Sequence, residues 1–483
     1  MDVLGNIKNT IEMTTAIYGK YSDYQDADET IKSICRRLDG VQVRLELYEE
    51  YLSRAGSNLR SRHKQILVKS LEKVTDILHD LLQRLPDPLT VTKKIAWIAW
   101  GKRRVEGLLA DLDTWDNDSQ RTIFTCDMLS GIRGRDLLYE RLFNTGDRSL
   151  AATWSLSRRI HSSDEAQVNL DLAIPLSTIK FYRGYNDRYL AKLSSEELVY
   201  MEELPDRPYA DNDEEKQTIE RQKRIAEVFH SSDLPSMHLL SCLGLSEYTL
   251  VYEIPRAEVE IGDHDWDSWV PTLASALEGG VCMSLEDRFR IATEITMAVM
   301  EVHAAGWVHK NIRSDNILLF YGGTPGQRGA METAQIGTAY LVGFGGARPQ
   351  IYVSTRLAEI DSVKQRYHHP ERKGTWIQKF DIRHDMYSLG VVLVELGLGR
   401  QLYELSKKLP DTGSRTEEDH RYLIDSANGL GNIVGTKYAN AVLTCLTTST
   451  QKGKTTDILR EEFYDGVLVP LKQIFEGLKI KAV

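Results

Sequence analysis

From Ile31 the apolar positions fall at Ile31, Ile34, Leu38, Val41, Leu45, Tyr48 and Leu52, with gaps that alternate three and four. On a helix that spacing keeps all seven on one narrow stripe, a heptad seam. A second seam runs through SLEKVTDILHDLLQRL at Leu71, Val74, Leu78, Leu81 and Leu85. Pro86 and Pro88 end it, because proline lacks the amide hydrogen of the helical ladder and constrains the residue before it. KKIAWIAWGKRRVEGLLADLDTW, residues 93–115, starts a further helix. No seam outlasts about four heptads, so the expectation is an antiparallel bundle of four or five helices over residues 1–130, and not a filament. Residues 131–170 mix helical signals with Gly, Ser and charge, as a tether or brace helices between domains would. From about residue 172 the pattern changes to short strands and then to long helices, an α+β domain over 171–483.

Composition narrows the classes. The 483 residues are 42% apolar and 27% charged, ordinary for globular protein, and no apolar run approaches a membrane span. The opening MDVLGNIKNTIEM lacks the basic start and apolar core of a secretory signal, so a cytoplasmic protein is expected. Cys35, Cys126, Cys242, Cys282 and Cys445 are scattered and odd in number, which fits neither a disulfide framework nor a zinc site. They read as reduced, buried thiols, and no metal site is expected. The formal net charge of −10 argues against nucleic acid as the main partner.

Two segments of the bundle have a second reading besides packing. Lys93, Lys94, Trp97, Trp100, Lys102, Arg103 and Arg104 set two indoles among five cations, which suits the headgroup region of an anionic membrane and equally suits core tryptophans flanked by solvated cations. The N-terminal stripe of Leu4, Ile7, Ile11 and Ile17 is amphipathic, either core or a membrane- or partner-seeking element.

Several motifs after residue 230, in consistent order, resemble the protein kinase family. HLLSCLGL at 238–245 and YTLVYEIP at 248–255 resemble the two strands before the kinase hinge, and SLEDRFRIATEITMAVMEVHAAGWVHKN the long helix feeding the catalytic loop. HKNIRSDNILL at 309–319 resembles that loop itself, LVGFGGAR at 341–348 the Asp-Phe-Gly segment, YHHPER at 367–372 the Ala-Pro-Glu region, and DMYSLGVVLVEL at 385–396 the helix that follows. The resemblance implies a two-lobed α+β kinase-like domain in which His309, Phe344, Gly345, Pro370, Glu371 and Asp385 hold the fold together.

Phosphoryl transfer needs metal ions, a cradle for the phosphates and an oriented hydroxyl. In this sequence Asn311 stands at the family's aspartate base, and loss of a general base costs on the order of 10²–10⁴ in rate. Gly343 stands at the metal-binding aspartate and offers no ligand. Asn316 keeps the second metal position, but a neutral amide alone is a poor magnesium site. Arg313 replaces the loop lysine, and Lys310 replaces the family arginine and loses its fork. Asp315, nearby, is a weak substitute for the base. The glycine-rich lid is missing, since KFYRGYNDRYLAKL has only Gly184. At the position of the small-lobe lysine stands Glu202 in one register and Lys192 in the other. Glu202 is preferred, because it lies 18 residues before Glu220 and next to it Arg221, giving a charge-reversed pair of Glu202 with Arg221.

A helical bundle before such a domain resembles fungal proteins that join a HeLo-type domain to a degenerate kinase domain, and in architecture the mixed-lineage-kinase-domain-like pseudokinases of regulated necrosis. The resemblance implies a pseudokinase that restrains the bundle until an upstream signalling protein or kinase releases it to self-associate and permeabilise anionic membranes, moving from cytoplasm to plasma membrane. No cofactor is expected, with weak metal-independent ATP binding left open. Ser354, Thr355 and Ser362 are candidate phosphorylation sites, where added negative charge would act on Arg348, Arg356 or Lys364. The alternatives are an atypical active kinase and a cytosolic scaffold without a membrane step.

Overall fold

The computed structural model describes residues 3–21, 29–55, 61–84, 105–112, 115, 172–185, 188–203, 222–230, 234–255, 272–278, 283–304, 306–322, 335–349, 364–372, 380–402, 416–448 and 454–479. The chain divides into two units, Met1–Leu150 and Ala151–Val483, and the division falls inside the stretch expected to be a tether.

The first unit is helical. Its described elements are α1 (Val3–Tyr21), α2 (Glu29–Ala55), α3 (Ser61–Arg84) and α4 (residues 105–112). The described side chains of both predicted seams are core: Ile34, Leu38, Val41, Leu45, Tyr48 and Leu52 of α2 are buried, as are Leu71, Val74, Leu78 and Leu81 of α3, while the Ile31 side chain and Leu85 lie outside what the structure describes. Helix α1 packs against both. Its stripe differs from the expected one. Ile7 and Ile17 are buried, but Thr10 and Thr14 lie between them in place of Ile11, and Leu4 is exposed. Each threonine hydroxyl donates to the carbonyl four residues back, to Asn6 and Thr10 respectively at 2.8 Å, which hides its polarity in the helix. Thr10 also meets Thr75 of α3, hydroxyl to hydroxyl, at 3.0 Å. Beyond α4, the indole of Trp115 donates to the Ser70 carbonyl at 2.7 Å and stacks on Tyr48, so this residue bridges α3 and α2.

The second unit begins with an antiparallel sheet in the order β1-β2-β3-β5-β4, formed by Ile179–Tyr185, Arg188–Leu193, Leu198–Glu203, Thr249–Glu253 and Cys242–Ser246 for β1, β2, β3, β5 and β4. Ile179, Ala191, Val199, Met201 and Val251 pack together on it. Helix α5 (residues 222–229) lies between β3 and β4 in the chain and buries Ile225, Ala226, Val228 and Phe229.

After the sheet come helices α6 (Leu273–Glu278), α7 (Leu285–Ala304), α8 (Ile382–Leu398), α9 (Thr416–Gly429), α10 (Thr436–Thr448), α11 (Thr456–Phe463) and α12 (Val469–Lys479). Between α7 and α8 lie two small antiparallel pairs, β6 (Trp307–Val308) with β9 (Arg348–Pro349) and β7 (Ile317–Gly322) with β8 (Gln335–Leu341). Helix α8 is rich in apolar residues and almost wholly buried, with a few polar side chains among them. The motif segments read from the sequence therefore fall on regular elements: HLLSCLGL and YTLVYEIP on β4 and β5, the long helix on α7, and DMYSLGVVLVEL inside α8. Cys242 and Cys445 are buried and free, but Cys35 is only half-buried, against the expectation that all cysteines are core. Burial pushes the Cys242 thiol up to about 12. Among the described residues no helix is long and apolar enough to cross a membrane.

Helix α8 carries a buried carboxyl, Glu395. It accepts from the Tyr367 hydroxyl at 2.9 Å and from Leu402 N at 2.8 Å, and Tyr367 in turn meets the Ser314 hydroxyl at 2.8 Å. Burial pushes Glu395 from its ordinary 4.5 up to about 7. The folded chain therefore keeps a proton that the unfolded chain releases in that window, so this group's stabilisation is fully present below pH 4.5 and gone above about pH 7. Glu395→Gln keeps an acceptor for both partners but removes the titration. Across pH 4.5 to 8 its unfolding free energy should drift upward relative to wild type by about 3 kcal/mol, as measured by chemical denaturation.

Candidate functional site

Two loops are brought together by the small strand pairs. β6 leads into residues 309–313 and the turn Ser314–Asn316, which opens β7; β8 leads through Val342 and Gly343 into the turn Phe344–Gly346, which opens β9. Because β7 pairs with β8 and β6 with β9, the exits of both loops are fixed against each other. Val342 N donates to the Asn316 carbonyl at 2.9 Å and closes the gap.

Asp385, near the start of α8, organises the first loop. Its buried carboxylate accepts from His309 N at 2.7 Å, from Lys310 N at 2.8 Å and from His303 Nε2 at 3.1 Å. Burial by itself would raise this carboxyl, but the His303 hydrogen bond and the imidazoles beside it hold it below its usual range. Two backbone donors that would otherwise be buried without acceptors are thereby satisfied. Lys310 sits in the left-handed region, at φ +70, a conformation that an L residue keeps only when its surroundings fix it.

The second loop is built around Gly343. Its φ of +93 and ψ of +36 are left-handed, and a Cβ there would lie 2.5 Å from Asn316 Nδ2 and 2.6 Å from Asn316 Cγ. The space into which an aspartate at 343 would project is filled by the Asn316 amide. Asn316 is fully buried and donates from Nδ2 to the Asn311 carbonyl at 2.6 Å, while Asn311 Nδ2 reaches back to the Gly343 carbonyl at 3.4 Å. From β3, Glu202 supplies the remaining acceptors. Its Oε2 accepts from Gly343 N at 3.0 Å and its Oε1 from Gly345 N at 3.4 Å. Asn311, Asn316, Gly343 and Glu202 thus form one hydrogen-bonded set across the two loops and the sheet.

These residues do not fit a magnesium ion. Gly343 has no side chain, Asn316 is neutral and turned to the Asn311 carbonyl, and the carboxylate of Glu202 is engaged by backbone N–H groups. An aromatic column backs the set: Phe344 packs edge-on against His309 at 4.4 Å and against Phe229 of α5 at 4.2 Å, and Phe229 meets Trp307 edge-on at 6.1 Å. Burial holds the His309 imidazole down at about 4, so it is neutral and its Nδ1 accepts from Asn311 N at 3.2 Å.

Of the two lysine-position candidates, Glu202 is the one that faces this site. Lys192, on β2, instead pairs with Glu196 at 3.0 Å. Asp315 is part-exposed and pairs with Arg313 Nε at 3.2 Å. Pro370 and Glu371 lie in a turn that precedes α8. Lys93, Lys94, Trp97, Trp100, Lys102, Arg103 and Arg104 lie outside the described residues, as do Arg221, Ser354, Thr355 and Ser362. The sequence reading missed that Glu202 caps backbone N–H groups, though a glutamate inside the otherwise apolar LVYME of β3 marks a buried carboxylate that must find donors.

Replacing Asp385 with alanine should leave His309 N and Lys310 N buried without their acceptor. An expected loss of about 3–5 kcal/mol would show as a fall in the denaturation midpoint. Among protein-family models and curated proteins, none matches this chain.

Proposed function

We propose that residues 171–483 are a pseudokinase, a protein-kinase-like domain without phosphotransfer activity, and that it gates the N-terminal helical unit, a HeLo-type bundle that self-associates and permeabilises membranes in regulated cell death. The observation that carries the first half is the Asn311–Asn316–Gly343–Glu202 network. Where a kinase of this kind would need two metal ligands and a base, this chain has a glycine and two amides turned onto backbone carbonyls, Asn316 onto that of Asn311 and Asn311 onto that of Gly343, with a carboxylate from β3 turned onto backbone N–H groups. A carboxylate there would also repel the phosphates of ATP. The second half rests on the architecture: a helical unit with two heptad seams, followed in the chain by a domain whose polar centre is closed on itself.

Magnesium should add nothing to any stabilisation of the full chain by ATP in a thermal-shift measurement. A magnesium-dependent shift that is lost on mutating Asn316 would sink the pseudokinase reading. Restoring the family residue should not restore the site: Gly343→Asp forces a side chain into left-handed backbone and onto Asn316, and should cost about 2–4 kcal/mol without creating magnesium-dependent ATP binding.

If the kinase-like domain restrains the bundle, residues 1–130 alone should bind and permeabilise anionic liposomes more strongly than the full chain. Each Lys or Arg near such a surface contributes about 1 kcal/mol, so replacing Lys102, Arg103 and Arg104 with glutamate should remove binding, and added salt should weaken it. Leakage by the charge-reversed bundle at the wild-type rate would exclude this segment as the membrane contact, and absence of leakage from the unmodified bundle would favour the scaffold alternative.

A further inference from the structure

A second polar cluster lies apart from the loops around Gly343, where the turn Pro370–Arg372 meets the start of α8. His369 and His384 are each about 1% exposed, and Glu371 is half-buried. One nitrogen of each imidazole and one carboxylate oxygen of Glu371 lie within 4.8 Å of one another. His384 is the third helical residue of α8, and its Nδ1 accepts from Asp381 N at 3.0 Å in a capping box. That bond accounts for one ring nitrogen. The other, Nε2, is buried without a hydrogen-bond partner. A polar atom left so is costly, and such an atom in a folded protein calls for a missing water or ion.

The surroundings are those of a metal site. His384 Nδ1 also lies 3.2 Å from the Asp381 carbonyl and 3.2 Å from Asp381 Oδ1, so with Nε2 on a metal the proton moves to Nδ1, which gives up the bond from Asp381 N and donates instead to Asp381, the outer carboxylate that orients a ligating histidine. The neighbouring cation Arg383 is taken up by the same Asp381, with Nε and Nη2 at 3.1 and 2.9 Å. Phe380 stacks on His384 at 4.7 Å and Tyr387 packs edge-on against His369 at 5.1 Å, giving apolar walls that limit water.

We propose that His369, Glu371 and His384 bind a zinc-type divalent ion, which ties the turn Pro370–Arg372 to the first turn of α8. Two imidazoles and one carboxylate suit Zn²⁺, Co²⁺ or Ni²⁺, and not Mg²⁺ or Ca²⁺, which take oxygen ligands. With ligand bonds of about 2.0–2.2 Å, the three atoms need to draw in by about 1 Å, within reach of side-chain rotation. The fourth position is left for water. This site is independent of the pseudokinase reading and departs from the sequence expectation of no metal, which considered cysteine patterns and magnesium positions only.

The test uses the full chain, free of any histidine tag and dialysed against chelator. Calorimetric titration with Zn²⁺ alone and absorption titration with Co²⁺ alone should each saturate at one equivalent, Co²⁺ with intense visible bands of a four-coordinate site, and Mg²⁺ should give no signal. Glu371→Gln keeps the side chain's shape and removes its charge. His384→Gln keeps an acceptor for Asp381 N, since glutamine serves at this position of a capping box, while removing the ring nitrogen. Both variants should match the wild-type circular dichroism without metal, and each should weaken Zn²⁺ binding by more than about 100-fold, beyond what an outer-shell partner is worth. No uptake by the wild type at micromolar Zn²⁺, or equal uptake by the wild type and Glu371→Gln, would overturn the proposal.

Discussion

The backbone N–H groups of Gly343 and Gly345 are buried, and their acceptor comes from 141 and 143 residues earlier in the chain, from the carboxylate of Glu202. A buried amide without a partner costs about as much as a lost hydrogen bond, and a buried carboxylate without donors costs more. Each therefore makes the other tolerable. This one contact joins β3 of the five-stranded sheet to the loop between β8 and β9. It also fixes the backbone that leaves no room at Gly343 for a side chain, which in turn gives the Asn316 amide its place. A phosphate or a magnesium ion entering here would have to displace a network that is already satisfied.

Helix α8 performs the corresponding task deeper in the same unit. Its hydrophobic surface buries it on all sides, and three polar residues on it reach outward: Asp385 to the His309–Lys310 backbone, Ser388 to the Tyr367 carbonyl at 2.8 Å, and Glu395 to Tyr367 and Leu402 N. Loops that carry no regular ladder of their own take their hydrogen bonds from this helix. Its capping box at Asp381 and His384 also sets the edge of the proposed metal cluster, so the polar positions of α8 serve the loops on both of its approaches.

The helical unit achieves its packing with less polarity to satisfy. Thr10 and Thr14 sit in the buried stripe of α1 by bonding back to their own helix, and Trp115 finds its acceptor at Ser70.

The periodicity of apolar residues by itself determined the seams of α2 and α3 and the change from helices to strands and back, because burial on one face leaves a repeat that survives in the linear sequence; α7 and α8 were placed by the resemblance of their segments to kinase motifs. The resemblance to kinase motifs, and not the periodicity, pointed to Asn311, Gly343 and Glu202, since their residue types conflict with the chemistry of the family those motifs resemble. Only the tertiary structure decided that Glu202 and not Lys192 faces the loops, that threonines and not Ile11 line α1, that the Asn316 amide occupies the space beside Gly343, and that His369, Glu371 and His384 converge. These outcomes depend on partners tens to more than a hundred residues apart. A hydrogen bond between distant residues, or a void filled by one side chain, leaves no period in the sequence; it exists only once the backbone has brought donor and acceptor within 3 Å.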